Sequence, residues 1–187
     1  HAARTHLVKT DPGGPAVYQF TSDAFGRDAL APKAVAADWA GDAVIAGTTR
    51  DNQFVARIDA RGNVVDIDVL AMAGEVRDVA MDGAGAAYVA GMTTSAAFPA
   101  TPNALQPRYN AGTCTDVFPA AGAPPRQFPC ADAFLVKIAP WGEVVYATYF
   151  GGTGWDEATR VAVDAAGHAL LAGATARLPR IVGLTAA

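Results

Sequence analysis

Charge is scarce in this chain. Of 187 residues, 17% are Asp, Glu, Lys or Arg, against the roughly 25% usual for soluble domains. An excess of basic residues is also missing: 14 Lys and Arg stand against 18 Asp and Glu, a net charge of -4 without long runs of either sign. The chain therefore lacks the electrostatic footprint of a nucleic-acid or anionic-membrane binder. No stretch approaches the ~18 uninterrupted apolar residues of a membrane helix, so no membrane span is expected. Serine is almost absent. Ser22 and Ser95 are the two copies, and neither sits in the Gly-x-Ser-x-Gly setting of a hydrolase nucleophile. There is no Gly-rich phosphate loop followed by Lys-Ser/Thr and no His-x-x-x-His pair. What is plentiful is apolar: 51% of residues are hydrophobic. A low-charge chain rich in Val, Ala and Gly suits sheets buried on both faces.

Cysteine is limited to Cys114 and Cys130. The segment between them has neither helical nor strand periodicity. A disulfide closing that loop is expected, and it would remove unfolded-state entropy worth about 3 kcal/mol on the chain-entropy model. Two free thiols in a reducing compartment are the alternative. With the first residue His1 rather than Met, a removed leader is one explanation, and a trimmed or partial chain is another. The expected location is extracytoplasmic. A zinc site is not expected, because no histidine or second cysteine pair lies near. His1 with His6 would need a third partner to hold copper. No cofactor and no metal are expected.

The richest signal is an internal repeat. Val35-Ala-Ala-Asp-Trp-Ala-Gly41, Val79-Ala-Met-Asp-Gly-Ala-Gly85 and Val161-Ala-Val-Asp-Ala-Ala-Gly167 share one pattern. Each leads to an apolar run ending in Ala-Gly, at Ala46-Gly47, Ala90-Gly91 and Ala172-Gly173. A second unit recurs as His6-Leu-Val-Lys9, Phe54-Val-Ala-Arg57 and Phe134-Leu-Val-Lys137. Each of these is followed by a Gly turn (Gly14, Gly62, Gly142) and a third apolar run. One such unit cannot bury its own apolar faces and must stack on neighbours. Asp38 to Asp82 spans 44 residues, and Lys9 to Arg57 spans 48. That period, with four short strand-like runs per unit, is the pattern of a β-propeller blade.

The strands of a unit are called a to d. In the middle unit, a is about 76–81, b 86–92, c 133–138 and d 144–150. The a–b and c–d connections have Asp or Pro early and Gly last, the chemistry of a type I turn closed by a left-handed residue. A calcium reading of these turns is the minor alternative, since each supplies one carboxylate where calcium wants several oxygens. The expected organisation is one all-β region, 1–187, of about three blade equivalents, either an open arc or part of a larger propeller. Residues 1–34 supply the c–d strands of a first unit plus a crossing. Residues 35–75 form a full blade, 76–157 a full blade with a long b–c insertion (95–132), and 158–187 the a–b strands of a last unit. Antiparallel geometry then puts the insertion and the crossing 151–157 on one end, opposite the a–b and c–d turns. Strand d of the first full unit alternates Asp66 and Asp68 with Val65, Ile67 and Val69, which suits an edge strand. The sibling copies carry Tyr18 and Tyr146 in place of Asp66, which speaks against a catalytic carboxylate pair there.

The run Asp132-Ala-Phe-Leu-Val-Lys-Ile-Ala-Pro-Trp-Gly-Glu-Val-Val-Tyr-Ala-Thr-Tyr-Phe-Gly-Gly-Thr-Gly-Trp-Asp-Glu157, continued by Val161–Thr175, resembles the bacterial β-propeller repeat known as SBBP. Phe98-Pro-Ala-Thr-Pro-Asn-Ala-Leu-Gln106 resembles that repeat's b–c loop. The likeness is strong over 76–175, fair over 35–70 and weak before 20. The chain departs from the pattern where the Gly-Gly crossing is missing after Leu70, over the irregular 21–34, and in the cysteine loop after Gln106. The resemblance implies a bacterial surface or secreted propeller, with no reaction and no catalytic residues to carry over.

Trp39 and Trp141 fall inside hairpin turns on one end, and Trp155 falls in the opposite crossing. Indoles at turn tips are costly to leave in water and common at interfaces; the alternative is that each folds over the neighbouring blade. Trp39, Trp141 and Trp155 are therefore the partner-binding candidates. His168 occupies a turn position. The expected function is that of a binding or scaffold subunit, its partner a protein, further blades or a second copy. An extracellular carbohydrate-active enzyme on the insertion face is the runner-up, with Asp116, Asp132, Asp156 and Glu157 as its acids. A purely structural blade array of an adhesin is the third reading.

Overall fold

A computed structural model describes residues 6–10, 12–13, 16–21, 30–49, 52–110, 112–115 and 124–176. Every regular element among them is a β-strand. The first sheet pairs β1 (His6–Thr10) with β2 (Ala16–Thr21). The second is a four-stranded antiparallel meander of β3 (Ala31–Ala37), β4 (Ala43–Thr48), β5 (Gln53–Ile58) and β6 (Val64–Leu70). The third repeats that order with β7 (Glu75–Met81), β8 (Ala87–Thr93), β11 (Asp132–Ile138) and β12 (Val144–Phe150). Between β8 and β11 the chain makes a small hairpin, β9 (Thr113–Thr115) with β10 (Gln127–Pro129). The last sheet pairs β13 (Asp156–Val163) with β14 (Ala169–Thr175). Among the described residues the fold is thus all-β, built from two four-stranded antiparallel sheets and three two-stranded ones. The expected strands a to d of the middle unit coincide with β7, β8, β11 and β12. The hairpin β9–β10 is a difference from expectation, since strands of three residues are too short to show a period.

Both interior strands of each large sheet are buried almost throughout. β4, β5, β8 and β11 have no exposed residue. Strands buried on both faces read as continuous apolar runs rather than alternating ones, which is the composition seen in Ala43–Ala46 and Phe134–Val136. Three apolar layers follow. Leu30, Ile45, Phe54 and Ile58 lie on one face of the second sheet, with Leu7 of β1 and Ile67 against them. Val44, Ala46 and Val55 on its other face meet Val76, Val89, Phe134 and Tyr149. The far face of the third sheet offers Tyr88, Ala90 and Leu135 to Ala158 and Val161 of β13. Successive first strands touch across these layers, β3 with β7 and β7 with β13. No helix among the described residues is long and apolar enough to cross a membrane.

The repeat motifs now have physical causes. All five described tight turns close the same way: the amide of the fourth residue bonds the carbonyl of the first, as in Gly85 to Asp82 at 3.0 Å and Gly142 to Ala139 at 3.0 Å. That fourth residue is Gly41, Gly62, Gly85, Gly142 or Gly167, each with φ between 83° and 93°, a region open to glycine at little cost. Where the turn opens with Asp, the carboxylate caps it. Asp82 Oδ1 accepts from the amides of Ala84 and Ala86 at 3.0 Å each, and Asp164 Oδ1 accepts from Ala166 and His168 at 2.9 Å each. The turn expected at Gly14 lies outside the described residues. The Ala-Gly pairs answer to a bulge. Register shifts between Pro32 and Ala34, Val76 and Asp78, and Ala158 and Arg160 mark one bulge in each first strand. There the carbonyls of Ala31, Glu75 and Glu157 press against Gly47, Gly91 and Gly173, leaving no room for a side chain. The bulge also aims cations at the next sheet: Lys33 Nζ lies 3.8 Å from Glu75, and Arg77 3.4 Å from Glu157.

Gly91→Ala should therefore lower stability by about 2–3 kcal/mol, the cost of forcing an atom into a packed contact. Gly83→Ala, where nothing lies within 4 Å of the added carbon, should change it by under about 0.5 kcal/mol. Urea unfolding of both variants checks this; equal effects would contradict the bulge as the reason for the Ala-Gly motif.

Candidate functional site

The meander separates two ends of the molecule. The turns at 38–42, 59–63, 82–86, 139–143 and 164–168 lie at one end; the described residues of the connections 49–52, 71–74, 94–131 and 151–155 lie at the other.

At the turn end, Trp39 is 91% and Trp141 73% exposed. Neither folds over a neighbouring sheet. Trp141 Nε1 donates to Glu143 Oε2 at 3.2 Å, which holds the ring over its own turn. Trp39 borders an open cleft of about 420 Å³ between the second and third sheets, with Val65, Met81, Gly85 and Pro140 among its walls. Its floor includes Arg57, only 8% exposed. The guanidinium crosses to the third sheet and donates to the Gly85 carbonyl at 3.1 Å and the Ala139 carbonyl at 2.6 Å. Lys9 makes the corresponding bond to the Gly41 carbonyl at 3.3 Å. At the next junction the Tyr88 hydroxyl takes the place of the cation, 3.0 Å from the Gly167 carbonyl. Lys137 there stays on its own sheet, 3.5 Å from Asp82 Oδ2 and over the Tyr88 ring. Each sheet thus grips the glycine turn of the next, and the surface that carries the two indoles is rigidly placed.

At the opposite end, the insertion wraps the edge strand β12. Phe98 packs on Phe134 and Tyr149, ring centroids 5.4 and 4.8 Å away. Thr101 and Gln106 bond the β12 backbone, the latter's carbonyl accepting from the Tyr149 amide at 3.1 Å. The Cys114–Cys130 disulfide is formed, with S–S 2.09 Å, and no free cysteine remains. The insertion lies beside 151–157, as its strand order requires. The Asp156 amide donates to the Ala131 carbonyl at 2.8 Å, and Gly112 presses on the Thr153 carbonyl. Trp155 is half-buried with its ring edge-on to Phe128 of β10, 6.1 Å away, so this indole is engaged within the chain.

The acids of this end do not share an open surface. Asp132 is 0% and Asp156 2% exposed. Asp132 Oδ2 accepts from the Asn110 amide at 2.8 Å and from Gln106 Nε2 at 3.0 Å. Asp156 Oδ2 accepts from the Gly152 amide at 2.7 Å. Burial, then the neighbouring Asp156, raises the Asp132 pKa, against the lowering by its hydrogen bonds. Burial, then the Asp132 charge, raises that of Tyr109. Glu157 pairs with Arg77 instead, and Asp116 lies outside the described residues. His168 Nδ1 sits 2.9 Å from Asp164 Oδ2 within its turn. His6 lies in β1, and His1 is outside the described residues. Asp66 and Asp68 stand on the edge strand β6, with Asp68 against the Gly142 turn of the third sheet. The role of Gln106, which ties three elements together by also accepting from the Gly151 amide at 3.0 Å, had no sequence signal beyond its place in the b–c loop motif.

Replacing both cysteines by alanine should free the β9–β10 hairpin and expose Trp155. In a Trp39→Phe, Trp141→Phe background, the remaining emission should shift to the red while far-ultraviolet circular dichroism stays constant. An unchanged emission maximum would show that the hairpin docks without its disulfide.

No family model matches the chain, and no curated protein matches it. Among solved structures it is similar to a protein of unknown function from Bacteroides caccae, determined at 1.35 Å, with 13% sequence identity and a TM-score of 0.46. The match covers 89% of this chain and 49% of that one, so the chain spans about half the length of that protein.

Proposed function

We propose that the chain is an array of propeller-type blades of the SBBP kind, acting outside the cytoplasm as an association subunit whose contact surface is the turn end. The observation that carries this reading is the pair of exposed indoles, Trp39 and Trp141, on one rigid end beside an open cleft. Large aromatic side chains held in water cost free energy and supply most of the binding energy where they become buried. The blade reading is supported by the a-to-d meander, by five turns of one type, and by first strands that face one another from sheet to sheet. Edges support association as well. β14 holds the second place in its sheet, a place filled in both four-stranded sheets by an interior strand with a third strand beside it, and its residues from Ala172 to Thr175 are exposed. An edge that no described strand pairs accepts a further strand, from elsewhere in the polypeptide or from another chain. The disulfide supports an oxidising compartment.

Trp141→Ala should weaken assembly by more than ~1 kcal/mol while leaving the sheets folded, as read by sedimentation with circular dichroism as the control. Trp39→Ala should act in the same direction. A stable monomer with no partner in native preparations would defeat this reading.

A further inference from the structure

Asp132 and Asp156 present a charge problem that the rest of the fold does not answer. Both are almost fully buried, and Asp132 Oδ1 and Asp156 Oδ1 each lack a hydrogen-bond partner. The hydrogen bonds they do accept come from neutral donors: the Gly152 and Asn110 amides and the Gln106 carboxamide. Both close on the same side of Gly151. A side-chain carbon there would lie 2.7 Å from Asp132 Oδ1 and 2.9 Å from Asp156 Oδ2. Two uncompensated carboxylates taken out of water cost several kcal/mol unless something neutralises them.

The internal repeat provides a control. Asp132 lies five residues before Lys137, and the residue five before Arg57 is Asn52. Asp156 lies eight residues before the turn residue Asp164, and the residue eight before Asp82 is Gly74. The sibling junction is therefore built with an amide and no side chain. The carboxylate pair is no requirement of sheet stacking; it occurs at the junction with the Gly151-Gly152 crossing, which the sibling junction lacks after Leu70. A cavity of about 110 Å³, lined in part by Asp156, Ala133 and Phe150, reaches it.

We propose that Asp132 and Asp156 hold a hard divalent cation of the calcium class, which ties the end of the disulfide-bearing insertion to the first strand of the last sheet. A single proton would leave one buried carboxylate uncompensated. A divalent cation neutralises both, and carboxylate oxygen is the ligand calcium prefers. No third His, Cys, Asp or Glu joins the pair among the described residues, so backbone carbonyls and water complete the coordination. Calcium, with its flexible geometry, suits such a set better than magnesium. Tyr109 from the insertion and Tyr149 from β12 both feel the Asp132 charge.

The test uses the full chain stripped of metal by chelator. Calcium near 100 times its dissociation constant should raise the unfolding midpoint by roughly 5–10 °C over the chelated protein. Terbium should bind with luminescence sensitised by the neighbouring tyrosines, and calcium should displace it. Asp132→Asn and Asp156→Asn should each abolish the calcium-induced rise, whereas Glu157→Gln, in its ion pair with Arg77, should keep it. The terbium signal on the unaltered chain decides the matter should either Asn variant fail to fold. Identical midpoints in calcium and chelator, with no terbium luminescence, overturn the proposal. So does a midpoint that responds only to pH and loses that response in Asp132→Asn, which would make the pair a proton site.

Discussion

The constraint on which everything else hangs is that the interior strands of both large sheets are apolar on both faces. A sheet of that kind is not stable alone. Burial at about 25 cal/mol per Å² of apolar surface drives each face against a neighbour, and the neighbour has the same need. The third sheet shows the result. Its Phe134 face rests on Val44 and Val55, and its Leu135 face rests on Ala158 and Val161. Stacking is thus the way the repeat satisfies its own composition, and the low charge of the chain follows from having so little surface per sheet.

Stacking alone would leave the sheets free to slide. Polar groups remove that freedom. The Arg57 guanidinium, buried and bonded to the Gly85 and Ala139 carbonyls, sets one sheet against the next at the turn end. Near the other end, the first-strand bulge sends Arg77 to Glu157, and the Asp78 carboxylate accepts from the Val161 amide at 2.9 Å. The surface pairs contribute little energy singly. The buried guanidinium matters more, because removing it would take a charged donor away from the inward-facing Gly85 and Ala139 carbonyls.

This arrangement gives the two ends different characters. The turn end is made of short identical loops, so a bulky residue placed there has nowhere to fold and stands in water, as Trp39 and Trp141 do. The opposite end has connections of unequal length, and the longest packs along β12 and buries what it touches. Trp155 sits at that end and is covered by Phe128. The same residue type therefore has opposite fates at the two ends because of loop length, not local sequence.

The strands, the turns and the pairing of two cysteines were legible in the sequence because each rests on local chemistry repeated several times. Asp at the start of a turn and Gly at its end specify a hairpin wherever they occur, and three copies in register make the reading secure. The bulge was not legible, although its trace, the Ala-Gly pair, was in plain view; only the carbonyl of a neighbouring strand shows why glycine is required. Nor could the sequence say that Trp39 and Trp141 remain exposed while Trp155 does not, since exposure depends on what other segments cover. Asp132 and Asp156 are separated by 24 residues and lie in two different strands. The fold brings both carboxylates to Gly151 and takes water away from them, and that desolvation is a property of the packed structure alone.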